Sequence, residues 1–203
     1  MRKVFTVLLT LALATSSLSA AQAPAGQTRK KDTYEVYSLA IRATNVPAES
    51  AIYLIEEKTG TRVGPLTTTG IPCNVPASHQ RNWTEAVTDV IVRGTAAITL
   101  DRSFNLPQKP YLLLAEADVS AFSATLLVPV TGPPPKPDPK FRKAKASYSL
   151  SDVFFNKNRT FALVFVTTFC GSRCGRGEWK AFERPVGGDW REAPLRCVSS
   201  WIA

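Results

Sequence analysis

Nine consecutive residues, FALVFVTTF from Phe161 to Phe169, constrain this chain more than any other stretch. At the two-residue period of an extended strand, Phe161, Leu163, Phe165 and Phe169 fall on one face, and Ala162, Val164 and Val166 on the other. A strand that is apolar on both faces needs cover on both. The run therefore predicts a central strand held between two layers. Before it, Asn156-Lys157-Asn158-Arg159 has turn composition, which makes Tyr148 to Phe155 the preceding strand. After it, a loop carrying three glycines and two cysteines leads to a strand over Glu178 to Arg184. Gly187-Gly188-Asp189 then makes a tight turn, and Trp190 to Ile202 returns as the last strand. Pro194 cannot donate to a ladder, so that strand is interrupted, bulged or at an edge. The C-terminal third reads as an antiparallel meander.

The N-terminal half carries helical patterns. Thr33 to Arg42 places Tyr34, Tyr37, Ser38 and Ile41 on one helix face, and Pro47 ends the segment. Asn82, with Glu85 three residues later, forms a capping-box pattern for a helix that stops at Gly94. Its stripe is Trp83, Ala86, Val87, Val90 and Ile91. Ala51 to Glu56, Tyr111 to Ala115 and, more weakly, Ala97 to Leu100 read as strands. Glu116 to Phe122 reads as a helical turn, and Leu126 to Val130 as extended chain. The predicted class is α+β, with N-terminal helices packed on a C-terminal antiparallel β-meander in a single domain over residues 33–203.

The first 21 residues have the layout of a cleavable signal peptide. Arg2 and Lys3 are followed by an apolar Val4 to Ala14 and by the small residues Ser19-Ala20-Ala21. That apolar run is too short for a stable membrane anchor, and no cysteine near the cleavage site offers a lipid attachment. The expected product is secreted or periplasmic. Residues 22–32 follow as a flexible basic tail. Loss of Arg2 and Lys3 lowers the basic count from 25 to 23 against 16 acids, a net charge of +7. An exported protein with four cysteines should be oxidised. Cys170 and Cys174 are close enough to close the loop between two strands, which leaves Cys73 for Cys197, although four cysteines allow three pairings. A redox role for Cys170 and Cys174 is the sharper alternative, since Arg173 and Arg176 would lower a thiol pKa.

The C-terminal third carries Phe155-Asn156, a polar turn, the apolar strand, Cys170-Gly171-Ser172-Arg173-Cys174-Gly175-Arg176-Gly177, then Trp190 and Trp201-Ile202. This pattern resembles an uncharacterised family of secreted bacterial proteins, and Thr33 to Ser38, TYEVYS, is similar to the start of that family. The resemblance covers about half the chain. It implies export and no assigned activity.

The chain holds one histidine, His79, which excludes multi-histidine zinc sites, and no metal or cofactor site is expected. Ser78 and His79 are sequence neighbours, an unusual placement for a catalytic serine and its base. No phosphate-loop or dinucleotide glycine motif occurs. Glu56, Glu57, Glu178, Glu183 and Glu192 could serve a carboxylate-dependent hydrolase of an envelope polymer, but their spacing marks no pair. Trp179 is the tryptophan best placed for an exposed stacking surface; Trp83 and Trp201 read as packing residues. The segment from Gly132 to Lys145 is proline-rich and reads as a stiff, exposed connection. Its Lys136, Lys140, Arg142, Lys143 and Lys145 are candidate contacts for an anionic surface, together with Arg173 and Arg176. No nucleic-acid motif accompanies the charge. The expected function is a non-catalytic binding or interaction module of the envelope or the medium. Its expected partner is an anionic envelope polymer or another envelope protein, with the hydrolase as the alternative.

Overall fold

A computed structural model describes residues 25–44, 49–60, 73–94, 96–127, 138–171, 174–197 and 201–202 of the 203-residue chain. In chain order the helices are α1 (Ala25–Arg42), α2 (Gln80–Arg93) and α3 (Glu116–Leu126), with 3₁₀ turns at Ala77–His79 and Pro139–Phe141. The first strands are β1 (Tyr53–Glu56), β2 (Cys73–Asn74), β3 (Tyr111–Leu114), β4 (Ser147–Leu150) and β5 (Phe154–Phe155). They are followed by β6 (Phe161–Phe169), β7 (Arg176–Glu183), β8 (Arg191–Glu192), β9 (Arg196–Cys197) and β10 (Trp201–Ile202). The chain is an α+β domain built on one mixed sheet of order β10-β7-β6-β4-β1-β3.

Strand β6 runs through the middle of this sheet, antiparallel to β4, β5 and β7. Its two apolar faces go to two different cores. Ala162, Val164 and Val166 pack with Val36, Tyr37, Ala40 and Ile41 of α1. Phe161, Leu163 and Phe165 pack with Trp83, Ala86 and Val90 of α2. A third cluster joins Leu54 of β1 and Leu114 of β3 to Phe122 of α3 and to Phe141 and Ala144. Leu54 pairs with Ser147, which pairs with Phe169, so this third cluster lies on the α2 side of the sheet. Helix α1 thus covers one face, and α2 and α3 share the other. Each fully buried Phe or Leu contributes about 2 kcal/mol by its removal from water.

The N-terminal half also supplies strands to this sheet. β1 lies between β3 and β4 and is parallel to both, so the antiparallel meander extends into a mixed sheet. Ala97 to Leu100 contributes only an isolated bridge, Lys58 to Thr99.

Two side chains take over where the ladder of β6 breaks. The expected strand from Tyr148 to Phe155 is split at Ser151–Val153. There the Ser151 hydroxyl accepts the Phe165 N–H at 2.8 Å, while the Ser151 N–H donates to the Phe165 carbonyl at 2.9 Å. At the β5–β6 turn the buried Asn156 Oδ1 accepts the N–H groups of Thr160 (2.8 Å) and Phe161 (3.0 Å). Its Nδ2 donates to Asn82 Oδ1 (2.9 Å) and Thr160 Oγ1 (3.0 Å). Arg159 closes the turn with a φ of 53°, the one non-glycine residue with positive φ among those described.

Several boundaries differ from the sequence reading for identifiable reasons. Helix α1 starts at Ala25, so residues 25–32 are helical where a flexible tail was expected. Its early turns are held by the buried Asp32, which accepts Arg184 Nη1 at 2.7 Å and Arg159 Nε at 3.3 Å. Its end is closed by the buried Lys180, whose ammonium donates to the Ala43 carbonyl at 3.0 Å. Helix α2 starts at Gln80, so Asn82 is not its N-cap. Asn82 bonds Asn156 instead, and Glu85 accepts the Lys157 N–H at 3.1 Å, so the apparent capping box binds the β5–β6 turn. Ile91, expected on the buried stripe, is 67% exposed. Helix α3 runs to Leu126, past the single turn expected, and residues 128–130 lie outside the described ones.

The last strand is broken into three at Pro194. β8 pairs with β7, β9 leaves to pair with β2, and β10 returns to the start of β7. In the β2–β9 pair Cys73 stands opposite Cys197, and the two form a disulfide; Cys170 and Cys174 form the other.

Two stability predictions follow from these contacts. Asn156→Ala leaves the buried Phe161 N–H and the half-buried Thr160 N–H without this acceptor and should lower the unfolding free energy by about 3 kcal/mol in denaturant titration. Chain-entropy arithmetic over a separation of 124 residues gives up to about 5 kcal/mol for Cys73–Cys197, against about 2 for the separation of 4 in Cys170–Cys174. Cys73→Ser with Cys197→Ser should therefore lower the guanidinium midpoint more than Cys170→Ser with Cys174→Ser.

Candidate functional site

At the end of the sheet where β6 begins, the first half of α1, one side of α2 and the β5–β6 turn converge on a cleft of about 610 Å³. Helix α1 contributes Arg29, Lys30, Thr33 and Tyr34; α2 contributes Glu85, Thr88, Asp89, Val92 and Arg93. The break between β4 and β5 and the turn after β5 supply Asp152, Val153, Phe155, Asn156, Lys157 and Arg159. The break matters because it turns Asp152 toward α2, where Arg93 binds it.

The carboxylates of the cleft are all engaged. Asp89 takes Arg93 through two bonds of 2.7 Å and also accepts the Phe155 N–H at 2.9 Å. Burial disfavours the charge of Arg93, but its bonds to Asp89 and Asp152 outweigh burial and raise its pKa. The Lys157 N–H holds the Glu85 carboxyl below its ordinary range, helped by Arg81 at 3.2 Å. Burial pushes the Tyr34 hydroxyl up to about 12, and its oxygen accepts the Asp101 N–H at 2.6 Å.

The cations are less evenly matched. Lys30 pairs with Asp101. Arg159 and Arg184 share the single carboxylate of Asp32. Arg159 also lies 3.6 Å over the Phe155 ring and donates to the Arg29 carbonyl at 3.2 Å. Burial pushes its guanidinium down despite Asp32, and the charges of Arg29 and Arg184 push the same way. Among the described residues, no carboxylate lies within 4.0 Å of the Arg29 guanidinium or the Lys157 ammonium. Counting the cleft and its rim, seven cations (Arg29, Lys30, Arg81, Arg93, Lys157, Arg159, Arg184) face five carboxylates (Asp32, Glu85, Asp89, Asp101, Asp152), a surplus of two.

Nearby, the Ser78 hydroxyl lies 3.0 Å from His79 Nδ1, and His79 Nε2 lies 2.9 Å from Glu183 Oε2. This hydroxyl–imidazole–carboxylate chain lines none of the clefts described, and Arg191 also holds Glu183 at 2.7 Å. It works as a strap between the start of α2 and the end of β7. No group of three His, Cys, Asp or Glu side chains is placed to hold a metal ion among the described residues.

The residues singled out in the sequence fall elsewhere. Trp179 is 3% exposed, packed against Phe154 and Phe165, so it offers no open stacking face. Arg173 and Lys136 lie outside the described residues. Arg176 pairs with Glu178 at 2.7 Å, and Glu178 also holds Lys180 at 2.9 Å. Burial raises the Glu56 carboxyl, partly offset by a hydrogen bond from Ser149. None of Glu56, Glu57, Glu178, Glu183 and Glu192 lines the cleft.

The basic run before β4 is an ordered turn over the part described, residues 138–145, with Phe141 2% exposed as its anchor. Lys140 is held by Asp118 at 2.5 Å and Asp138 at 3.6 Å. Arg142, Lys143 and Lys145 are exposed beside it. β4 begins at Ser147 opposite Phe169, and β7 begins at Arg176 opposite Thr168. This turn, Arg176 and the Cys170–Cys174 ring therefore share one end of the sheet, opposite the cleft. Gly171 fits there because its φ is 113° and a Cβ would meet the Leu126 carbonyl of α3 at 3.0 Å.

No family model, no curated protein and no solved structure matches this chain.

Burial raises the Glu183 carboxyl, but its bonds to His79 and Arg191 outweigh burial and hold it below its ordinary value. A depressed carboxylate adds stability above its unfolded pKa, about 4.3, and loses it as the pH falls through the lower folded value. Glu183→Gln should therefore lower stability by about 1 kcal/mol at neutral pH. The gap between variant and parent should close in thermal melts below about pH 4.

Proposed function

We propose that the protein is an exported, non-catalytic binding module whose partner is an anionic polymer of the cell envelope or its surroundings. The observation that carries this reading is the cationic end of the sheet. Arg142, Lys143 and Lys145 stand exposed on a turn pinned by Phe141, and none has a carboxylate within 4.0 Å among the described residues. A rigid turn presents these charges without the ordering penalty that a flexible tail would bear on binding. Such a rim attracts a polyanion through counterion displacement and field, with no need of a deep pocket.

Other features support the same reading. Two disulfides belong to an oxidising compartment. No helix among the described residues is long and apolar enough to cross a membrane. Glu178 and Glu183, two of the five carboxylates weighed for hydrolysis, are engaged by cations, which favours binding over hydrolysis. The likeness to secreted bacterial proteins belongs to this proposal as well.

Retention on an immobilised polyanion such as heparin tests it. The protein should bind at low salt and elute as salt rises. Arg142→Ala with Lys143→Ala and Lys145→Ala should weaken binding by about tenfold or more at fixed salt. Elution of the triple variant together with the parent would remove the rim from the interaction.

A further inference from the structure

We propose that the cleft between α1, α2 and the β5–β6 turn binds a phosphate group, either free phosphate or phosphate carried on a small organic body. The site is independent of the cationic rim, which lies at the other end of the sheet.

The first argument is charge. The acids of the cleft are already bound: Asp89 and Asp152 by Arg93, and Glu85 by the Lys157 N–H and Arg81. Their bonds orient them toward Arg93, Arg81 and the backbone, and away from Arg29 and the Lys157 ammonium. Arg29 and the Lys157 ammonium have no carboxylate within 4.0 Å among the described residues. Arg159 and Arg184 have only Asp32 between them. The surplus of two positive charges matches a phosphate monoester, which carries about −1.5 to −2 near neutral pH. A lone carboxylate would leave half of it uncompensated.

The second argument is backbone geometry. Arg159 holds φ at 53°, a conformation that costs an L-residue free energy and that glycine or asparagine would adopt at less cost. The position nevertheless carries an arginine, whose guanidinium carbon lies 3.6 Å from the Phe155 ring centroid and which donates to the Arg29 carbonyl. Strained residues of this kind concentrate at ligand clamps. Asp32 and Arg29 occupy three of the guanidinium's directions at most, and its planar fork suits the oxygens of a phosphate.

The third argument is the floor. Val92, Val153 and Phe155 line the same cleft beside these cations. A volume of about 610 Å³ exceeds what a bare phosphate fills and suits a small organic molecule. The polar end would meet Arg29, Lys157 and Arg159, and the body would lie along the apolar side.

Calorimetric titration of the purified protein at low salt with inorganic phosphate, phenyl phosphate and phenol tests the proposal. Both phosphates should bind saturably and phenol should give no saturable heat. Phenyl phosphate should bind several-fold more tightly if the body is read, and equal affinities would assign the site to free phosphate. Arg29→Ala with Lys157→Ala changes exposed residues, so the melting temperature should hold while the phosphate affinity falls by about tenfold or more. Lys58→Ala, an exposed cation outside every cleft described, should leave it unchanged. The proposal is overturned if neither phosphate binds saturably at about 20 mM, twentyfold above a millimolar Kd. It is equally overturned if the double variant binds phosphate as the parent does. Neither result would touch the heparin experiment, whose variants lie at the other end of the sheet.

Discussion

Strand β6 has no polar face to offer to water, and the rest of the chain is arranged around that fact. A helix must cover each side of it, and the two helices come from opposite ends of the sequence's first half: α1 over Ala162, Val164 and Val166, α2 over Phe161, Leu163 and Phe165. Its two edges must be paired as well, because unpaired N–H and C=O groups in a buried strand are costly. β4, β5 and β7 satisfy most of them. Where no strand reaches, Ser151 and Asn156 substitute side-chain oxygens for missing carbonyls. These two polar residues are buried for the same reason the phenylalanines are.

The cleft is a by-product of that repair. Interrupting the strand at Ser151 swings Asp152 out to Arg93, and the turn after Asn156 lifts Arg159 into a left-handed conformation over Phe155. The polar groups that keep β6 paired thus also place the charged lining of the only site where α1, α2 and the sheet meet among the clefts described. Asp32 ties this corner together from a distance of 152 residues in sequence to Arg184.

Much of the architecture could be read from periodicity. The two-sided run at Phe161 to Phe169 located β6 residue for residue, and Pro194 marked the break in the final strand. What periodicity missed was structure held by polar contacts. Residues 25–32 look like a solvated tail because their anchor is the buried ion cluster of Asp32, not an apolar stripe. Asn82 and Glu85 have the spacing of a capping box, and the same side chains serve a turn 74 residues away instead. The parallel placement of β1 leaves no local trace, since both its partners lie far downstream. The cleft was illegible for the same reason: Arg29, Arg93 and Arg159 belong to three separate segments, while the glycine-cysteine loop and the basic run drew attention by being contiguous.

The position of β1 has a consequence for how the chain acquires this shape. It sits between β3 and β4, both of which come later in the sequence, and α1 before it rests on strands later still. A chain made from its N-terminus therefore presents α1 and β1 before any of these partner strands exists. Local closure offers them little, because the strands that β1 pairs with start at Tyr111 and Ser147 and the strand α1 rests on starts at Phe161. The first quarter of the protein completes its packing only when β6 arrives. Such a domain is held together by its last-delivered elements, and its early segments are the ones exposed longest to misassociation.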